Sequence, residues 1–188
     1  MTLNKEPSKS TTYKAINLAK YNGSIIVNDP NLRLSLWCNP DEARCEIKKS
    51  IPLTGVLKVN EEELAFITKI QDVGSSMHEI LSMGVKLCIV TMGANGFTYV
   101  THKFIGHVPT FNKVKVVDTL GCGGCFVAAL IVGLVENDFL QILEDENKIK
   151  SILKFANGAA SITSLKKGVI PAFPSSRKEV EDFILRYS

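Results

Sequence analysis

Residues 116–130 read Val116-Val117-Asp118-Thr119-Leu120-Gly121-Cys122-Gly123-Gly124-Cys125-Phe126-Val127-Ala128-Ala129-Leu130: two β-branched residues, a glycine-rich turn, then an apolar helix. The first amides of a helix have no partner inside it, and the helix dipole makes that end positive. With glycines there, no side chain covers those amides, so they can hold phosphate oxygens. The same pattern also serves as a plain turn ahead of a buried helix. Cys122 and Cys125 add a second reading, a Cys-x-x-Cys pair at a helix start, where the positive end lowers a thiol pKa and suits redox or metal chemistry. A tetrahedral zinc site needs two further ligands. Cys38 and Cys45 offer poor spacing for them, and a thioredoxin carries its pair earlier, after a first strand. His78, His102 and His107 form no triad or ligand set.

On either side of this stretch, strands alternate with helices. Residues 11–20 are helix-like and stop at Asn22-Gly23; Ser24–Asn28 reads as a short buried strand closed by Asp29-Pro30. Helices follow at Pro40–Lys49, Glu61–Thr68 and Ser75–Ser82, with a strand at Gly55–Val59. Leu87–Thr91 is an apolar strand, and Asn95-Gly96 turns the chain into Phe97–Val100. Phe104–Val108 and Lys115–Val117 read as strands, Gly123–Val135 and Lys148–Leu165 as helices, and Val180–Arg186 as a last amphipathic segment. This order predicts an α/β fold with parallel strands early and a hairpin inserted at 87–108. There is no linker, low-complexity segment or internal repeat, so one domain over residues 1–188 is expected.

The chain has 188 residues, 45% hydrophobic and 22% charged, and a net charge of +3. That content supports one core. The Lys and Arg residues are scattered, with Lys166-Lys167 a tight pair, which argues against a nucleic-acid groove. The apolar run Cys122–Val135 contains three glycines and is shorter than the roughly 18 residues that span a bilayer. The N-terminus lacks the pattern of a secretory signal or transit peptide, so a cytoplasmic location is the expectation. Cys45 and Cys88 lie in helix-like and strand-like sequence and are expected to be buried, reduced thiols.

Four further segments carry candidate chemistry. Asn60-Glu61-Glu62-Glu63 follows a strand and reads as a helix cap, with Asn60 and Glu63 as a capping-box pair. Thr91-Met92-Gly93-Ala94-Asn95-Gly96 reads as a hairpin turn. Asp29-Pro30-Asn31-Leu32-Arg33 closes a strand. Asn157 sits on a helix face of small residues, Ala156, Gly158, Ala159 and Ala160.

Taken together, these motifs resemble the ribokinase-like (PfkB-type) sugar kinases, and most nearly the plant-type fructokinases. The resemblance runs from Glu6-Pro7 to Phe173-Pro174 and rests on Asp29–Arg33, Lys58–Leu64, Thr91–Gly96, Asp118–Leu130, Phe155-Ala156-Asn157 and Lys166-Lys167-Gly168. It implies a three-layer α/β/α sheet and transfer of the ATP γ-phosphate to the 6-hydroxyl of fructose. It also implies roles for individual residues. Thr91, Gly93 and Gly96 border the ATP phosphates. Thr119, Gly121, Cys122 and Gly123 hold the transferring phosphate, and Asn157 lines the base pocket. Asn60 and Glu63 hold magnesium and its waters, and oxygen ligands of that kind suit a hard ion. Asp118 and Gly168 lie beside a monovalent cation, potassium. Asn31 and Arg33 face the phosphate or sugar side.

The family signature ends in an aspartate, its catalytic base, where this chain has Gly124. The match covers the C-terminal three-fifths of such a kinase, without its first strands, most of its sugar pocket or its β-lid. The expectation is therefore a partial kinase domain that takes ATP and Mg2+ but has weak or no activity, with an open sheet edge for a homo- or hetero-partner. A regulatory pseudokinase, a gene fragment without function and the Cys-x-x-Cys protein are the alternatives.

Overall fold

A computed structural model describes residues 2–111 and 114–187. They form two compact units, Met1–Met92 with Thr98–Gly106, and Gly93–Phe97 with His107–Ser188.

In the first unit, α1 (Ser8–Tyr21) leads to β1 (Val27–Asn28), α2 (Pro40–Ser50), β2 (Val56–Asn60), α3 (Glu61–Thr68), α4 (Val73–Ser82) and β3 (Leu87–Thr91). The polar residues that precede helices explain where they begin. Asn39 accepts from the Glu42 amide, Asn60 from Glu63 and Asp72 from Ser75. β1 pairs parallel with β2, and β2 parallel with β3. β2 and β3 are buried over their first four residues and emerge at Asn60 and Thr91, which are register partners. Ligands of open α/β sheets bind beyond such carboxyl ends. Around these strands Ile47, Leu57, Leu64, Ile67, Met77, Ile80 and Val90 form the core.

The sheet continues with β4 (Phe97–Val100) and β5 (Ile105–Val108), in the order β1-β2-β3-β4-β5. The Thr101 amide donates to the Phe104 carbonyl at 2.8 Å, closing the link between β4 and β5. So short a link makes the pair antiparallel, as the sequence predicts for 87–108.

In the second unit, α5 (Cys122–Val135), α6 (Phe139–Glu144), α7 (Glu146–Thr163) and α8 (Arg177–Tyr187) pack together. Gly133 lets α5 approach α7, since a Cβ there would lie 2.6 Å from Ile152 Cγ2. Gly158 does the same for α7 and α8, against Ile184 at 2.9 Å.

Several expectations need correction. The strand expected at Ser24–Asn28 is only Val27–Asn28. The Ile26 carbonyl takes both the Gly55 and Val56 amides, which displaces the residues before it from the ladder. Lys115–Val117 is not a strand. The Val117 and Asp118 amides donate to the Ser164 carbonyl at the end of α7, at 2.8 and 3.2 Å, and Val116 and Val117 stay exposed. Cys88 is buried as expected, but Cys45 is exposed on α2. α6, capped by Asp138, has no counterpart in the sequence reading, and α7 begins at Glu146 because Asp145 caps it.

Candidate functional site

The predicted site residues divide between the two units. The second unit holds the glycine-rich turn. Gly121 is left-handed (φ 88°) and caps α5 without a side-chain bond. The Cys122 amide goes to the Thr119 carbonyl and that of Cys125 to Gly121. Among the described residues, the Gly123 and Gly124 amides have no acceptor. These are the uncovered donors that an anion requires. A Cβ built on Gly124 meets nothing within 4 Å. The position is open rather than filled by a neighbour.

Asp118 fixes this turn. One carboxylate oxygen accepts from the Leu120 amide at 2.9 Å, the other from the Gly168 amide at 3.1 Å. Those bonds, Leu120 first and Gly168 second, hold its pKa below the usual carboxylate value, with Lys167 adding to the effect. The structure thus brings Asp118 and Gly168 together across 50 residues. Asn157 is buried on α7, and its Nδ2 donates to the Pro109 carbonyl at 3.4 Å. Gly96 lies against the same segment. It is left-handed (φ 85°), and a Cβ would run into the Val108 carbonyl and Pro109. Gly93, also left-handed (φ 56°), has open space in front of it. So Gly96 and Asn157 both meet the 108–109 segment.

The first unit holds Asn60, Glu63, Thr91, Asn31 and Arg33. Asn60 and Glu63 form a complete capping box: Asn60 Oδ1 accepts from the Glu63 amide at 2.7 Å, and Glu63 Oε2 from the Asn60 amide at 2.9 Å. Glu63 Oε1 also accepts from the Leu32 amide at 2.6 Å. Both residues retain free lone pairs, so their oxygens fit a magnesium ion that keeps its waters. Thr91 ends β3, with its hydroxyl 3.3 Å from the Val59 carbonyl. Asn31 and Arg33 are exposed. Lys58, buried in β2, lies 3.4 Å from both carboxylate oxygens of Asp29. Neither that ion pair nor the Glu63–Leu32 bond was anticipated. A lysine inside an apolar strand was the one available signal.

The cysteines do not behave as a helix-end pair should. Burial pushes both the Cys122 and Cys125 thiols up, which outweighs the helix end. All five cysteines are free. No group of three His, Cys, Asp or Glu side chains suited to a metal occurs among the described residues.

Parallel strands with helices between them in the first unit, and a glycine-capped helix with uncovered amides in the second, define an α/β protein. Comparison with known proteins gives the family. The description of the pfkB family carbohydrate kinases matches residues 2–176, and the chain belongs to that family. It is 42% identical over 172 residues to a probable fructokinase-3 of Arabidopsis thaliana, covering 90% of this chain and 49% of that protein. A fructokinase double mutant from Vibrio cholerae O395, solved with fructose, ADP and potassium, superposes with a TM-score of 0.89 at 30% identity. That match covers 97% of this chain and 57% of the other. A ribokinase II of E. coli in complex with ATP and Mg2+ gives 0.77 at 27% identity, covering 93% and 53%. The fold is ribokinase-like, and the chain spans about half the length of the curated relatives it matches.

Proposed function

We propose that this chain is a fructokinase-like member of its family that keeps a nucleotide-phosphate site and has lost its base. The carrying observation is the start of α5, with two amides lacking acceptors and a glycine with empty space where a carboxylate would stand. Phosphoryl transfer depends on positioning and on stabilising charge. Here the Gly123 and Gly124 amides would meet phosphate oxygens. Asp118 would hold the turn in shape, and Asn60 and Glu63 would engage magnesium through its waters. Magnesium would supply charge neutralisation on the phosphates. Asn157 and the Gly93–Gly96 turn would face the nucleotide, and Asn31 and Arg33 the phosphate or sugar. Removing a general base costs about 10²–10⁴-fold, so phosphorylation of fructose should be weak or absent. A coupled assay with fructose and Mg-ATP tests this: turnover in the ordinary range for a kinase contradicts it.

A second reading, a non-catalytic partner of another kinase chain, is favoured by one observation. Ile131, Val132 and Val135 lie exposed on α5, and Val116, Val117 and Leu120 are exposed before it. Apolar surface of this kind marks interaction sites. Sedimentation should show association; a monomer at high concentration contradicts it.

A further inference from the structure

The Glu63 carboxylate bridges backbone amides of two different elements, and this suggests a role beyond capping. Its Oε2 serves Asn60 at the head of α3, while its Oε1 takes the Leu32 amide from 31 positions earlier. Leu32 also packs its side chain on the core of the first unit. The residues on either side, Asn31 and Arg33, are exposed. Asn31 is left-handed (φ 44°) and Arg33 extended (φ −131°, ψ 94°). A left-handed non-glycine residue is strained and persists only where its surroundings hold it. Two such holds flank it: Lys58 on Asp29 and Glu63 on Leu32.

Resting on the nucleotide reading above, we propose that Glu63 is a positioning residue for the 29–33 loop. Through the Leu32 amide it fixes the peptide between two exposed side chains, and so sets where Asn31 and Arg33 present themselves to a ligand. Leu32 is the buried anchor, and the polar groups on either side are what it aims.

Glu63→Gln keeps the shape of the side chain and one acceptor oxygen, but it puts an NH2 group against one of the two amides it served. Hydrogen exchange of the Leu32 amide should speed up at least tenfold in Glu63→Gln. It should stay unchanged in Ile67→Val, a core change on the same helix that leaves the latch alone. Calorimetry with ATP in the absence of magnesium adds a second readout, because Glu63 then has no ion to engage and acts only through the loop. Glu63→Gln should weaken binding in the wild-type background and have no further effect once Arg33→Ala is present. Unchanged Leu32 exchange overturns the proposal. Fully additive losses also overturn it, because they mean Glu63 meets the ligand directly. If the wild-type chain takes up no ATP without magnesium, the exchange comparison alone decides the latch; if it takes up no Mg-ATP either, the functional reading fails.

Discussion

Under the proposed function, Gly124 is the residue on which the chemistry turns, and the open space around it makes that testable. Its Cβ direction is open, so Gly124→Asp should fold without displacing a neighbour. If the missing base limits turnover, that variant should raise fructose phosphorylation by about 10²–10⁴-fold over the wild-type chain. A coupled assay showing no rise means that something else limits. Asp118 carries a different prediction. Its folded pKa is depressed below the ordinary 3.8, chiefly by the Leu120 and Gly168 amides. Its contribution to stability is therefore present above the unfolded pKa and lost as pH falls through the lower folded value. Thermal melts of wild type and Asp118→Asn should differ at neutral pH and converge below about pH 3.8. A constant difference down to the most acidic pH contradicts the role given to that carboxylate. Single residues also mark where the sequence falls silent. Glu63 declares its cap through the Asn60 spacing, but its bond to Leu32 joins positions that no local pattern relates.

At the scale of elements, the long periodic segments were readable and the short ones were not. α2, α3 and α4 announce themselves through caps and apolar spacing, and α5 through its glycine turn and apolar run. α6 has six residues, too few to show a period, and only Asp138 marks it. Lys115–Val117 has the composition of a strand, yet its amide bonds run to the end of α7. β-propensity records a fit to a half-buried surface, and no ladder offers one here. The start of α5 gives a prediction of its own. Burial raises both the Cys122 and Cys125 thiols, and Cys88 is pushed up to about 12. Alkylation at neutral pH should therefore mark the exposed Cys38 and Cys45 first and leave Cys88 untouched. Rapid labelling of Cys122 or Cys125 would revive the redox reading. The turn before β4 is equally specific. Gly96→Ala should cost about 1–3 kcal/mol, because a left-handed residue facing Val108 and Pro109 cannot take a Cβ without strain.

For the whole molecule, the family was legible, and a candidate site could be named, because the glycine turn, the Asn60–Glu63 spacing and the Gly93–Gly96 turn stand in a fixed order along the chain. What the fold adds is connection. Asp118 reaches Gly168, Asn157 reaches Pro109, and Asn60 and Thr91 stand side by side at the ends of β2 and β3. Those pairs join residues too distant in sequence for any period to reveal. The central claim is that bare amides at the start of α5 still grip phosphate. Calorimetric titration of the chain with Mg-ATP, beside an identical titration with adenosine, tests it most directly. The account predicts saturable binding of Mg-ATP and much weaker binding of adenosine. Equal binding of the two, or no uptake of Mg-ATP, would contradict it.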